Sequence, residues 1–152
     1  MLSQTVEYAL RAMVCLAQSP DRLTPTPALA STTQVPPNYL AKVLQVLAQA
    51  DLIQGRRGVG GGYKLTRPAD KISMLDVVNA IDSLEPIKSC PLSIADHGTA
   101  LCSLHRRLDE AVRMLIERFE GVSLQDLILE QGASAPLCDE ARRVSLGLPT
   151  RS

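Results

Sequence analysis

Between Pro36 and Arg67 an apolar period of helical spacing passes directly into a glycine-rich, basic hairpin pattern, and few folds accommodate that succession. Leu40, Val43, Leu44, Leu47 and Ala50 recur at three- and four-residue spacing, which turns one helix face inward. Asn38, Lys42, Gln45 and Gln49 then line the opposite face. After Asp51, Leu52 and Ile53 begin a strand, Gly55 to Gly62 is expected to turn it, and Tyr63 to Leu65 returns. Gly60, Gly61 and Gly62 supply conformations that residues with a Cβ resist. The expected product is a short helix followed by a two-stranded wing.

Charge is concentrated in that wing. From Leu52 to Ala69 there are four basic residues (Arg56, Arg57, Lys64 and Arg67) and no acidic one, whereas the whole chain balances 16 Lys and Arg against 16 Asp and Glu. A generally basic coat is excluded, so any affinity for nucleic acid must come from this patch. Paired arginines at a glycine-rich tip suit phosphates or a narrow minor groove. The candidate DNA-contacting residues are therefore Asn38, Tyr39, Lys42, Gln45, Arg56, Arg57, Gly58, Gly60, Gly61, Gly62, Tyr63 and Lys64. The competing reading, a solvated hairpin whose glycines only make a turn, leaves the preceding helix as coincidence.

The rest of the chain supports that unit. A helix is expected over Thr5 to Gln18, with Val6, Ala9, Leu10, Met13, Leu16 and Ala17 inward, Cys15 as a small core side chain, and a Glu7–Arg11 surface pair. Thr26 is expected to cap a second helix with Pro27 at its first position, Leu29 and Ala30 inward, and Val35 as the plug of the following turn. Ser73 with Asp76 forms a capping pattern for a helix over Ser73 to Ser83. Leu101, Leu104, Leu108, Ala111, Val112, Leu115 and Phe119 mark a long amphipathic helix, whose stripe is covered either by a second copy or by its own chain. Ser123 and Asp126 repeat the capping pattern. The fold class expected is mainly α with a small β-hairpin wing: a winged helix-turn-helix domain over 1–84, a loop and long dimerisation helix over 85–131, and a mobile tail over 132–152 that includes Cys138. No apolar run approaches a membrane span and the start of the chain has no basic leader, so a cytoplasmic protein is expected.

VEYALRAM, VPPNYLAKVLQVLAQADLI and RRGVGGGYKLTRPADKISMLDVVNAID together resemble the Rrf-two family of winged helix-turn-helix transcription regulators, across roughly residues 1–130. The resemblance implies a homodimer on a palindromic operator in double-stranded DNA, with the recognition helix in the major groove and the wing beside it. Pairing of the two subunits would run through the 102–120 helix.

Both histidines of the chain, His97 and His105, and two of its four cysteines, Cys90 and Cys102, fall within sixteen consecutive residues. Thiolate and imidazole suit iron–sulfur clusters or zinc, and the C-x6-H-x4-C-x2-H spacing matches no zinc finger. Cluster-binding members of the family carry three cysteines at six-residue intervals here and a histidine three positions on. By that resemblance the pattern falls on Cys90, Asp96, Cys102 and His105, with His97 beside the substituted middle position. It implies a [2Fe-2S] centre completed by Asp96 or His97, His105, or Glu7, the matching first-helix acidic position. A metal-free thiol switch of Cys90 and Cys102, and a remnant loop holding nothing, are the alternatives. An enzyme using Cys90 with His97 or Cys102 with His105 is disfavoured, because no second orienting group or phosphate-binding fingerprint accompanies them. A winged helix that binds protein is the remaining rival.

Overall fold

The computed structural model describes residues 2–91 and 100–130. They form α1 (Gln4–Ala17), α2 (Thr26–Thr33), α3 (Pro37–Gln49), the hairpin strands β1 (Ile53–Arg56) and β2 (Gly62–Leu65), α4 (Met74–Ile81), α5 (Ser103–Glu120) and α6 (Leu124–Leu129). The expected tail over 132–152, with Cys138, lies outside the described residues.

Ser3 opens α1, its hydroxyl accepting from the Val6 N–H. Val6, Ala9, Met13, Leu16 and Ala17 are buried as the spacing predicts, and Leu10 is half-buried. Cys15 is buried as expected, and Ala12 and Val14 are buried as well, so the amphipathic reading fails over the last six residues. The reason is tertiary: α2, α3, α4, α6 and β2 all pack against α1, and every residue from Ala12 to Ala17 is buried.

At α2 and α3 the boundaries differ from the expected ones. Thr26 does not cap α2; Pro25 stands at the cap position and Thr26 is already helical. With Pro27 unable to donate, one of the first-turn donors that a side-chain cap would have to satisfy is absent. At the end of α3, Leu40, Val43, Leu44 and Leu47 are buried, but Ala50 is exposed because the helix has stopped at Gln49. Asp51 then takes φ 56°, a left-handed turn that sends the chain into the wing.

The wing pairs Ile53 with Leu65, Gln54 with Lys64, Gly55 with Tyr63 and Arg56 with Gly62. Gly55 and Gly62, expected in the turn, thus belong to the ladder. Gly62 has a specific reason to be glycine: its φ is 148°, and a Cβ there would collide with the Thr24 carbonyl. Thr24 approaches so closely because it bridges the hairpin from outside, its N–H donating to Tyr63 O at 2.8 Å and its carbonyl accepting from Tyr63 N at 2.9 Å. That bridge fastens the loop before α2 to the wing.

Ser73 and Asp76 make the expected reciprocal cap of α4, and Ser123 and Asp126 that of α6. The first of these helices ends at Ile81, short of the expected Ser83, since Asp82 is extended at φ −133°. The segments before the two helices bridge each other, through Met74 N to Val122 O at 2.8 Å and Leu124 N to Ile72 O at 2.9 Å. This brings Leu124, fully buried, into the core beneath α1. Ser73→Ala removes one half of a cap and is expected to cost about 1 kcal/mol, read as a lower urea midpoint at unchanged slope. An unchanged midpoint would show that Asp76 holds the helix start alone.

The long helix α5 buries none of its residues. Its apolar residues divide between two adjoining faces: Val112, Ile116 and Phe119 are half-covered, while Leu104, Leu108, Ala111 and Leu115 stand exposed. Packing on α4 covers only part of the helix.

Candidate nucleic-acid interface and thiol–imidazole cluster

Because Leu40, Val43, Leu44 and Leu47 fix the inner face of α3, Asn38, Lys42, Gln45 and Gln49 are left exposed outside it. Tyr39 is braced as well as exposed. Its hydroxyl shares a 2.8 Å hydrogen bond with Thr5 Oγ1, and its ring meets Tyr8 edge-on with centroids 5.5 Å apart. Arg11 lies 5.6 Å over the Tyr8 ring, pairs with Glu7 at 2.6 Å, and donates to the last-turn carbonyl of Thr33 in α2 at 3.1 Å. Tyr39 thus ties the start of α3 to α1, and Arg11 ties the end of α2 to it.

In the wing, Arg56 Nη2 donates to Gly60 O at 3.2 Å and closes the turn on itself. Arg57 and Lys64 form no ion pair among the described residues. Arg67 behaves differently: it donates to Lys71 O at 3.1 Å and reaches Asp76 at 3.4 Å, so it fastens the wing to α4. An open groove of about 510 Å³ runs between the wing and the helix pair, bordered by Thr26, Pro27, Ala48, Arg56, Arg57 and Tyr63. On the other flank of the wing, Arg22 joins Lys64, Gly60 and Gly61 around a second hollow with Asp21. Arg22 was not singled out in the sequence, because it lies in a loop far from the hairpin and only the Thr24 bridge brings it there.

The second cluster gathers at the start of α5. Cys102 is the cap residue of that helix, and His105 Nδ1 lies 3.2 Å from its sulfur. The same nitrogen lies 3.9 Å from the sulfur of Cys90, which is buried. Asp109, one turn further along, accepts the Ile87 backbone N–H at 2.8 Å and the Arg113 Nε–H at 2.7 Å. The Arg113 hydrogen bond, aided by the Ile87 N–H and opposed by partial desolvation, holds the Asp109 carboxyl below the ordinary carboxylate range. A depressed folded value means the contact is intact at neutral pH and is lost only as pH falls through that value.

Of the six candidate metal ligands, Cys90, Cys102 and His105 come together. Glu7 is on the exposed side of α1, engaged by Arg11. Asp96 and His97 lie outside the described residues. Among the described residues no group of three or more His, Cys, Asp or Glu is arranged to hold a metal ion. The donor chemistry is nevertheless of the right kind: two sulfurs and an imidazole, with S···N distances of 3.2 and 3.9 Å. These bracket the roughly 3.5 Å that separates S and N donors around one tetrahedral ion.

The model of the Rrf2 family, described as iron-dependent transcriptional regulators, matches residues 2–130. The chain belongs to that family, and its mainly helical fold with a two-stranded wing is that of winged-helix regulators. It is 28% identical over 131 residues to an HTH-type transcriptional regulator of Aquifex aeolicus (strain VF5), covering 84% of this chain and 91% of the relative. The structure of CymR, the global cysteine regulator of B. subtilis, superposes with a TM-score of 0.66 at 25% identity, covering 84% of this chain and 95% of that one. T. potens IscR gives 0.71 at 20% identity over 88% and 93% of the two chains, a likeness of fold. No helix among the described residues is long and apolar enough to cross a membrane.

Proposed function

We propose that this protein is a homodimeric transcription regulator that binds a palindromic operator in duplex DNA, with α3 in the major groove and the β1–β2 wing against the adjacent backbone. The observation that carries the reading is the shared groove: the outer side of α3 at Ala48 and the wing arginines Arg56 and Arg57 border one open channel. Asn38, Lys42 and Gln45 supply hydrogen-bonding groups of the kind that read base edges, and Arg57 and Lys64 supply charge not committed to an ion pair among the described residues. The open stripe Leu104, Leu108 and Leu115 on α5 is the face on which a second copy pairs. Binding to random duplex at low salt separates this reading from a winged helix that binds protein: no retention under those conditions contradicts it.

We further infer that the segment bearing Cys90, Cys102 and His105 adjusts operator affinity. In the leading reading these three residues hold a [2Fe-2S] cluster with one further donor from Asp96, His97 or Glu7. Such a group, when bound, supplies a charge that changes with its redox state. The residues themselves set the spacing of Cys90 and α5, and hence of the two recognition helices. A metal-free thiol pair is the second reading, favoured by the 3.2 Å approach of Cys102 to His105, which leaves sulfur and imidazole already hydrogen-bonded to each other. Protein isolated without oxygen is expected to be coloured and to contain iron, and Cys102→Ala to abolish both. A colourless, iron-free protein whose DNA affinity still responds to thiol oxidation would select the second reading.

A further inference from the structure

Between the end of α4 and Pro91 no helix or strand orders the chain, so its path depends on single attachments. Leu84 N is held by Asn79 Oδ1 at 2.9 Å, which ties the segment to the end of α4. Further along, the Ile87 N–H donates to Asp109 Oδ1 at 2.8 Å, and this contact ties it to α5. Asp109 is only 13% exposed on a helix that buries none of its residues, and Arg113 fixes its second oxygen at 2.7 Å. A backbone N–H on an oriented carboxylate is a charge-assisted hydrogen bond. Cys90 follows Ile87 by three residues, a tether of roughly 10 Å at full extension, so the anchor limits how far its sulfur can stray from His105.

We propose that Asp109 is a positioning residue for the thiol–imidazole cluster: by clamping Ile87 to α5 it holds Cys90 beside Cys102 and His105. The regulatory consequence rests on the sensor reading above, whereas the clamp stands on the geometry alone. Loss of the clamp frees the Cys90 segment from the helix that carries the other two side chains, and any group or bond shared by the cluster loses one of its anchors.

The test uses the full-length chain, reduced and treated with a chelator, and follows two chemical probes by mass spectrometry. Iodoacetamide reports the accessibility of Cys90, and phenylarsine oxide, which bridges two sulfurs with release of water, reports its proximity to Cys102. In Asp109→Ala, alkylation of Cys90 is expected to rise about tenfold, the factor for losing one charge-assisted hydrogen bond, and bridging to Cys102 to fall by a similar factor. Cys15, buried in α1, serves as the internal control and should stay unreactive. Asp109→Asn, which keeps an acceptor for Ile87 but loses the charge, should fall between the wild type and Asp109→Ala. Should Cys15 also become reactive in Asp109→Ala, Ile87→Pro removes the donor from the other side and must give the same two changes. Wild-type rates of both probes with Cys15 still protected, in either variant, overturn the proposal. Neither probe needs DNA or metal, so failure to bind DNA would count against the functional reading and leave the clamp untouched.

Discussion

Replacing Arg56 and Arg57 together by alanine is expected to weaken binding to every duplex, specific or random, and to flatten its dependence on salt. Both side chains sit at the wing, exposed, beside the groove that also borders α3. Each phosphate neutralised contributes about 0.9 to the slope of log affinity against log salt, so the proposed dimer, losing four arginines, should lose roughly three to four units of slope if each contacts one phosphate. The preference among sequences should change little, because backbone contacts position the protein and base contacts specify. Lys42→Ala and Asn38→Ala should do the reverse, altering preference at one position of each half-site by about 1–3 kcal/mol while leaving the slope nearly intact. The measurement is a titration of fluorescent duplex at several salt concentrations. An unchanged slope in the double-arginine variant would remove the wing from the interface.

Leu16→Ala is expected to have the largest effect on stability. Leu16 is fully buried in α1, the helix on which α2, α3, α4, α6 and β2 all pack, so little of the surroundings is free to collapse into the space left behind. A leucine truncated at such a site costs about 2–5 kcal/mol, a large share of the roughly 5–15 kcal/mol that holds a domain folded. Urea unfolding followed by circular dichroism reads the loss directly. Because α1 is the common support of α3 and the wing, DNA binding should fail at temperatures where the variant unfolds, with Leu16 itself buried away from any surface. A cost below about 1 kcal/mol would mean that the helices around Leu16 reorganise, contrary to the close packing of protein interiors.

What could be read from the sequence was whatever local period and local chemistry decide. The inner face of α3, both capping boxes, the hairpin and the Glu7–Arg11 pair all follow from neighbours within a few residues. Tertiary surroundings account for the features that spacing could not supply. The second half of α1 carries Ala12 and Val14 outside the expected inner face, and the packing of α2, α3, α4, α6 and β2 on this helix makes those positions core, as Cys15 was expected to be. Thr24 joins the wing as a single residue between a loop and a proline, too short for any periodicity. Arg67 shares charge and neighbourhood with Arg56 and Arg57 yet is turned onto Asp76, which depends on where α4 starts. At the second cluster, the crowding of cysteine and histidine was enough to single out Cys90, His97, Cys102 and His105, of which His97 lies outside the described residues, but Asp109 resembles any other acid on a charged helix until Ile87 is seen to donate to it.

Everything rests on α3 and the wing sharing one nucleic-acid surface. Amide hydrogen exchange of the full-length chain, with and without duplex DNA at low salt, tests it most directly. The account predicts added protection at the first turn of α3 and across the wing turn from Arg57 to Gly61, with α5 and α6 unchanged. Protection confined to α5 or α6, or absent from the wing turn while DNA is fully bound, would contradict it.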